Sequence, residues 1–157
     1  MTNMLLQYSK TNLIKEPQKF DHYASQLENL PLYFMKFFGS SDLEKILATI
    51  EYSIYAYDIS HVIIDNLQFL LSGQGRGIER FELQDEAVSK FRKLATEKNV
   101  HISLVIHPRK VDDTVEINMS SIFGTAKSTQ EADNVFLIQN HKGYKVLELK
   151  KNRYGQF

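Results

Sequence analysis

The sequence predicts an α/β fold, a three-layer arrangement with a mainly parallel sheet between helices and an antiparallel hairpin at the C-terminal edge. Three observations predict it. Val62-Ile63-Ile64 and Val100-His101-Ile102-Ser103-Leu104-Val105-Ile106 are apolar, β-branched-rich runs of strand length, the pattern of strands buried on both faces. Stretches of helical apolar period precede and separate them, at Leu43–Tyr57 and about Ile78–Lys98. Val135–Gln139 and Tyr144–Lys150 flank the short turn Asn140-His141-Lys142-Gly143.

The elements follow in order. Residues 1–19 have weak periodicity and form a lead segment. Phe20 to Asn29 reads as a short helix, with Phe20, Tyr23, Ala24 and Leu27 on one face. After Pro31, the apolar run Leu32 to Phe38 is a strand candidate. Gly39-Ser40-Ser41 is a turn, and Ser41 with Glu44 makes a capping box for the next helix. That helix is apolar at 43, 46, 47, 50, 54 and 57. The first central strand ends in Asp65-Asn66, and a glycine-rich loop, Ser72 to Gly77, follows. The second long helix carries Gln84, Ala87, Val88, Phe91, Leu94 and Ala95 on one face, and Asn99 ends it. The second central strand runs into His107-Pro108-Arg109-Lys110. Val111 to Met119 reads as a polar loop, and Ser120 to Asp133 as loop then short helix. No internal repeat is present.

At 157 residues, the length suits one domain, and 43% apolar content suffices for a packed core. Lys+Arg and Asp+Glu both number 19, so net charge neither points to nucleic acid nor excludes it; such contacts need a local patch. There is no cysteine, which removes disulfides, thiolate metal sites and cysteine nucleophiles. No apolar stretch approaches the roughly 18–20 residues of a membrane span. Met1 to Leu6 lacks the features of a transit or signal peptide.

Chemistry gathers at the strand ends. Ligands of open α/β sheets bind beyond the C-terminal ends of the strands. An acid there, Asp65, has the Walker B arrangement that holds Mg²⁺ near nucleotide phosphates; a strand-end or turn cap is the equal alternative. His107 ends the next strand. If the two strands are neighbours, both side chains face one crevice, where His107 either senses a phosphate or bonds a backbone carbonyl. Arg109 and Lys110 offer contacts to a phosphate backbone, while Asp112, Asp113 and Glu116 favour a solvated loop. Lys150-Lys151-Asn152-Arg153 reads as a solvated basic tail or as an arginine finger presented to a neighbouring subunit. The glycines at 73, 75 and 77 do not form a phosphate loop, because no G-x-x-x-x-G-K-[ST] pattern occurs in these residues.

Five words occur in one order: Leu30-Pro31-Leu32-Tyr33-Phe34-Met35, His61 to Phe69, Leu104-Val105-Ile106-His107-Pro108-Arg109-Lys110, Ser121-Ile122-Phe123-Gly124 and Gln130-Glu131-Ala132-Asp133-Asn134-Val135. Together they closely resemble the mitochondrial replicative DNA helicases, which are similar to the phage helicase-primases and the DnaB-type ring helicases. The resemblance runs from about residue 20 to Arg153. It implies a RecA-like motor domain in a hexameric or heptameric homo-oligomeric ring. It implies ATP and Mg²⁺ between subunits, single-stranded and forked DNA as partners, and 5′–3′ unwinding. It places such a chain with the mitochondrial replication machinery, in the matrix nucleoid.

By motif, the resemblance makes Asp65 the Walker B acid that holds Mg²⁺ through water, with Asn66 beside it at the nucleotide. It makes His107 the sensor of the γ-phosphate and Gln130 the link from nucleotide to DNA-binding loop. Arg109, Lys110, Gly124 and Lys127 fall in the stretch of central-channel DNA contacts. Arg153 becomes the finger acting in trans, with Lys151 beside it.

Family members carry a Walker A loop and a catalytic Glu upstream of these words, and neither stands in these residues. The expectation is therefore an incomplete, C-terminal part of a motor domain, residues 20–157, inactive by itself and prone to aggregate through open strand edges. Two other readings stay open. One is a truncated, catalytically inactive relative that joins or regulates helicase rings. The other is an unrelated α/β phosphohydrolase using Asp65 and His107 around a metal.

Overall fold

The computed structural model of the chain describes residues 17–36, 42–72, 78–107, 118–119, 126–141 and 143–155. The chain divides into two compact units, Met1–Lys36 and Phe37–Phe157.

In the first unit, helix α1 spans Pro17–Glu28. Proline suits the first helical position, where its missing N–H has no partner in any case. The Asn29 side chain closes the helix by donating to the Ser25 carbonyl at 2.8 Å. The strand expected over Leu32 to Phe38 does not form over 32–36, where the chain is irregular and Phe34 is 80% exposed. The remaining two positions lie outside the described residues. Apolar β-forming composition needs a neighbouring strand to pair with. None of the described residues supplies one.

The second unit begins with α2, Leu43–Tyr57. Its cap is Asp42, whose carboxylate accepts from the Glu44 N–H at 3.0 Å. This corrects the expected cap by one residue; Ser41 lies outside the described residues. Strand β1, His61–Asp65, follows, then a one-turn helix α3, Leu67–Leu70. The long helix α4 spans Ile78–Lys98. Asn99 takes the left-handed conformation, φ 53°, and the Val100 N–H reaches back to the Ala95 carbonyl at 3.1 Å. That is a Schellman ending, with asparagine in glycine's usual place.

Strand β2, His101–Val105, lies parallel to β1 in a register that pairs Ile64 with Leu104 and Asp65 with Val105. Val62, Ile64, Ile102 and Leu104 pack with Leu43, Ile46 and Ile50 of α2, with Leu67 and Leu71, and with Ala87, Val88, Phe91 and Leu94 of α4. Both long helices therefore join one core on one face of the sheet. The opposite face carries Ile63, 67% exposed, and Val105, 38% exposed. The described residues thus form two layers rather than three, because nothing among them covers this face.

A short helix α5, Ala126–Glu131, leads into β3, Asn134–His141, and β4, Tyr144–Asn152, which pair antiparallel. The hairpin was expected to extend the parallel sheet. Instead it is a sheet of its own. A cleft of about 490 Å³ separates it from β2, lined by Ile102 and Leu104 on one side and Val135 and Leu137 on the other. Backbones held apart by a cleft cannot close to the roughly 5 Å a ladder requires.

On the hairpin, the Glu148 carboxylate accepts from Lys150 and from Gln139. Lys150 first, then Gln139, hold its carboxyl below the usual carboxylate range. A depressed folded-state value contributes stability above the unfolded pKa, lost as pH falls through the folded value. The hairpin is therefore expected to loosen below about pH 4. Amide NMR of Leu147 and Leu149 against pH checks this, and Glu148→Gln should flatten the profile.

Candidate functional site

Asp65 is the last residue of β1, and His107 stands two residues beyond its register partner Val105. The structure thus brings the acid and the imidazole to one end of one parallel sheet, and both are exposed. Among the described residues no hydrogen bond or ion pair engages the Asp65 carboxylate. It is therefore open to a cation, and a single carboxylate suffices for an acid that holds its ion through water. No group of three potential metal ligands occurs among the described residues, so an ion there needs water or substrate oxygens to complete its shell.

The chain turns away from the sheet at Asn66, across a cis Asp65–Asn66 peptide. The Asn66 side chain caps α3 by accepting from the Phe69 N–H at 2.8 Å. Its oxygen therefore already has a structural task, although it was also expected at the nucleotide. From α3, the Gln68 amide bonds both backbone groups of His107, donating to its carbonyl at 3.0 Å and accepting from its N–H at 3.2 Å. Gln68 lies inside a quoted word, yet nothing in its spacing announced this contact.

A second cluster forms where α5 meets the hairpin. Lys151 Nζ donates to the carbonyls of Thr129 and Gln130, both at 2.8 Å. The Arg153 guanidinium donates to the Gln130 carbonyl at 2.7 Å and pairs with Asp133 at 3.1 Å. The Arg153 N–H also bonds the Asp133 carbonyl at 2.8 Å. Cations at the final carbonyls of a helix meet the negative end of its dipole. Arg92 of α4 holds the same Asp133 carboxylate, which raises the already high Arg92 pKa further, chiefly through that hydrogen bond. Three predicted residues, Gln130, Lys151 and Arg153, are thus brought together. Asp133 and Arg92 organise them without a site signal of their own: Asp133 falls inside the Gln130–Val135 word, but Arg92 looks like any solvated helix cation.

Arg109, Lys110 and Gly124 lie outside the described residues. Lys127 has its backbone in α5, and its side chain is not described.

An acid at the C-terminal end of a parallel strand, next to a strand ending in an exposed imidazole, stands at the sheet end where ligands of open α/β sheets bind. The profile of the AAA domain family matches residues 5–113, more than half of the chain, and the chain belongs to that family. Such domains generally bind ATP with Mg²⁺, which makes this an ATPase-type nucleotide-binding domain. The matched stretch contains Asp65, Gln68 and His107 and ends before Gln130, Lys151 and Arg153. No helix among the described residues is long and apolar enough to cross a membrane.

Proposed function

We propose that this chain is the C-terminal part of the motor domain of an ATP-dependent 5′–3′ ring helicase similar to Twinkle, the mitochondrial replicative DNA helicase. The carrying observation is the ordered series of words from Leu30 to Val135, in which Asp65 and His107 fall at one sheet end. The AAA domain match supports an ATPase-type function more broadly. On this reading the protein works in a hexameric or heptameric ring on single-stranded and forked DNA, in the mitochondrial nucleoid.

Asp65 would hold Mg²⁺ through water, and the ion would neutralise charge on the β- and γ-phosphates. His107, on the neighbouring strand, would hydrogen-bond a γ-phosphate oxygen and pass its presence to the following stretch, where Arg109 and Lys110 meet DNA. Arg153 would act on the nucleotide of an adjacent subunit, where a finger contributes about 10³–10⁵ in rate. To do so it must leave Asp133 and the Gln130 carbonyl.

A second reading, an inactive relative that joins helicase rings, is favoured by the exposed hairpin face. Phe136 opposes Leu149 and Ile138 opposes Leu147, and these four side chains are 40–71% exposed. Such a face suits association.

The purified 157-residue chain tests both. It should bind a fluorescent ATP analogue weakly and only with Mg²⁺, lose that binding in Asp65→Ala, and hydrolyse ATP at background rate. Strong ATP turnover by this chain contradicts the absence of a phosphate cradle. Metal-dependent phosphate-ester hydrolysis without ATP, abolished by Asp65→Ala, would replace the helicase reading with a phosphohydrolase. Loss of ring ATPase when the chain is titrated into a Twinkle-type helicase selects the ring-joining relative.

A further inference from the structure

We propose that Gln68 is a positioning residue that locks the backbone of His107 to the turn carrying Asp65, so that acid and imidazole move as one unit. The proposal rests on the reading of Asp65 and His107 as the nucleotide-facing pair, and extends it to a residue outside that pair.

The geometry begins with where the ladder stops. The parallel pairing of β1 and β2 ends at Asp65 and Val105. Beyond it, β1 turns into α3, and among the described residues His107 has no strand residue beside it. Gln68 fills that position. A carboxamide presents an N–H donor beside a carbonyl acceptor in one plane, as a peptide group does. Its two bonds engage both the N–H and the C=O of His107, the groups that a further strand residue beside it would engage, though with the one-residue pairing of an antiparallel rather than a parallel ladder. The side chain therefore continues the sheet past its own strand's end.

The other end of the clasp is equally fixed. Leu67 and Leu71, both 0% exposed, root α3 in the core on either side of Gln68. Asn66 ties the first turn to the residue after Asp65, through its side chain to Phe69 N and its carbonyl to Leu70 N at 3.1 Å. A closed circuit results: Asp65, Asn66, α3, Gln68, His107, Val105 and back across the ladder to Asp65. A displacement of the Asp65 end reaches the His107 backbone through two hydrogen bonds rather than through solvent. Without them the connection to the His107 backbone would run through the Ile106 link and the apolar packing of Leu67 and Leu71, with no polar bond to His107 itself.

NMR on the 157-residue chain with Mn²⁺ as probe decides this. In Gln68→Ala, the His107 amide should exchange with solvent about tenfold faster, the scale of one lost hydrogen bond, while Ile64 and Leu104 amides are unchanged. Mn²⁺ held at Asp65 should broaden the His107 ring protons in the wild type and not in Asp65→Ala. In Gln68→Ala that broadening should drop by about half or more, because the ring no longer keeps one distance from the ion, with Mn²⁺ affinity unchanged. A residue that merely packs would not separate broadening from affinity. Gln68→Glu, which keeps an acceptor for the His107 N–H, should recover part of the exchange protection. Unchanged His107 exchange in Gln68→Ala, or equal acceleration through β1 and β2, overturns the clasp while leaving the site reading intact. Absence of Asp65-dependent broadening in the wild type overturns the metal reading of Asp65 and the coupling with it.

Discussion

Phe91→Ala is expected to abolish cooperative folding of the second unit. Phe91 is 3% exposed and sits on the α4 face that meets α2, β1 and β2. It is the largest side chain in a small core of Leu, Ile, Val and Ala. Truncating a buried Phe removes about 3–5 kcal/mol through lost burial and the cavity left behind. Whole domains have only about 5–15 kcal/mol in reserve. This unit leaves Ile63 and the hairpin face uncovered, which places it at the low end. A thermal melt followed by circular dichroism should lose its sigmoidal transition. Phe34→Ala is the control, since an 80% exposed side chain should matter by no more than about 0.5 kcal/mol. Equal melts for wild type and Phe91→Ala would show that α4 does not depend on this packing.

Gln84→Met is expected to stabilise. Gln84 is 0% exposed on the same face of α4, and neither its Oε1 nor its Nε2 has a hydrogen-bond partner among the described residues. A buried amide left unpaired costs about 1–3 kcal/mol. Methionine has nearly the same length and shape, fills irregular gaps and carries no amide. The urea midpoint should rise by the equivalent of about 1–3 kcal/mol with the slope unchanged. A fall instead would mean that the amide is satisfied in solution, by a water or by a further acceptor.

Gln84 also illustrates what the sequence reveals. Its position on the buried face was legible, because helical periodicity places residues by angle whatever their chemistry. The bounds of α2 and α4 were legible for the same reason, and Asn99 was readable as a stop because few other residues tolerate a left-handed ending. The end of β1 at Asp65 followed from the apolar run, whereas the pairing of its strand with the one leading to His107 was only a condition until the register placed Asp65 opposite Val105. The 32–36 segment misled because strand-like composition does not supply a partner. The hairpin misled because the sequence records local pairing but not which sheet a hairpin joins. Gln68, Arg92 and Asp133 were illegible as a class. Gln68 and Arg92 act through contacts to residues 39–41 positions away, Asp133 meets both Arg92 and Arg153, and such contacts leave no period in the chain.

The tethering of Arg153 has one further consequence. Its guanidinium already rests on Asp133 and the Gln130 carbonyl, so any incoming anion competes with acceptors belonging to the same polypeptide. On the proposed reading of Arg153 as a finger, its apparent affinity for phosphate is then its intrinsic affinity reduced by the fraction of time it spends detached. Weakening the tether would sharpen the response to phosphate without altering a single phosphate contact, so the sensitivity of this arginine is written into Asp133.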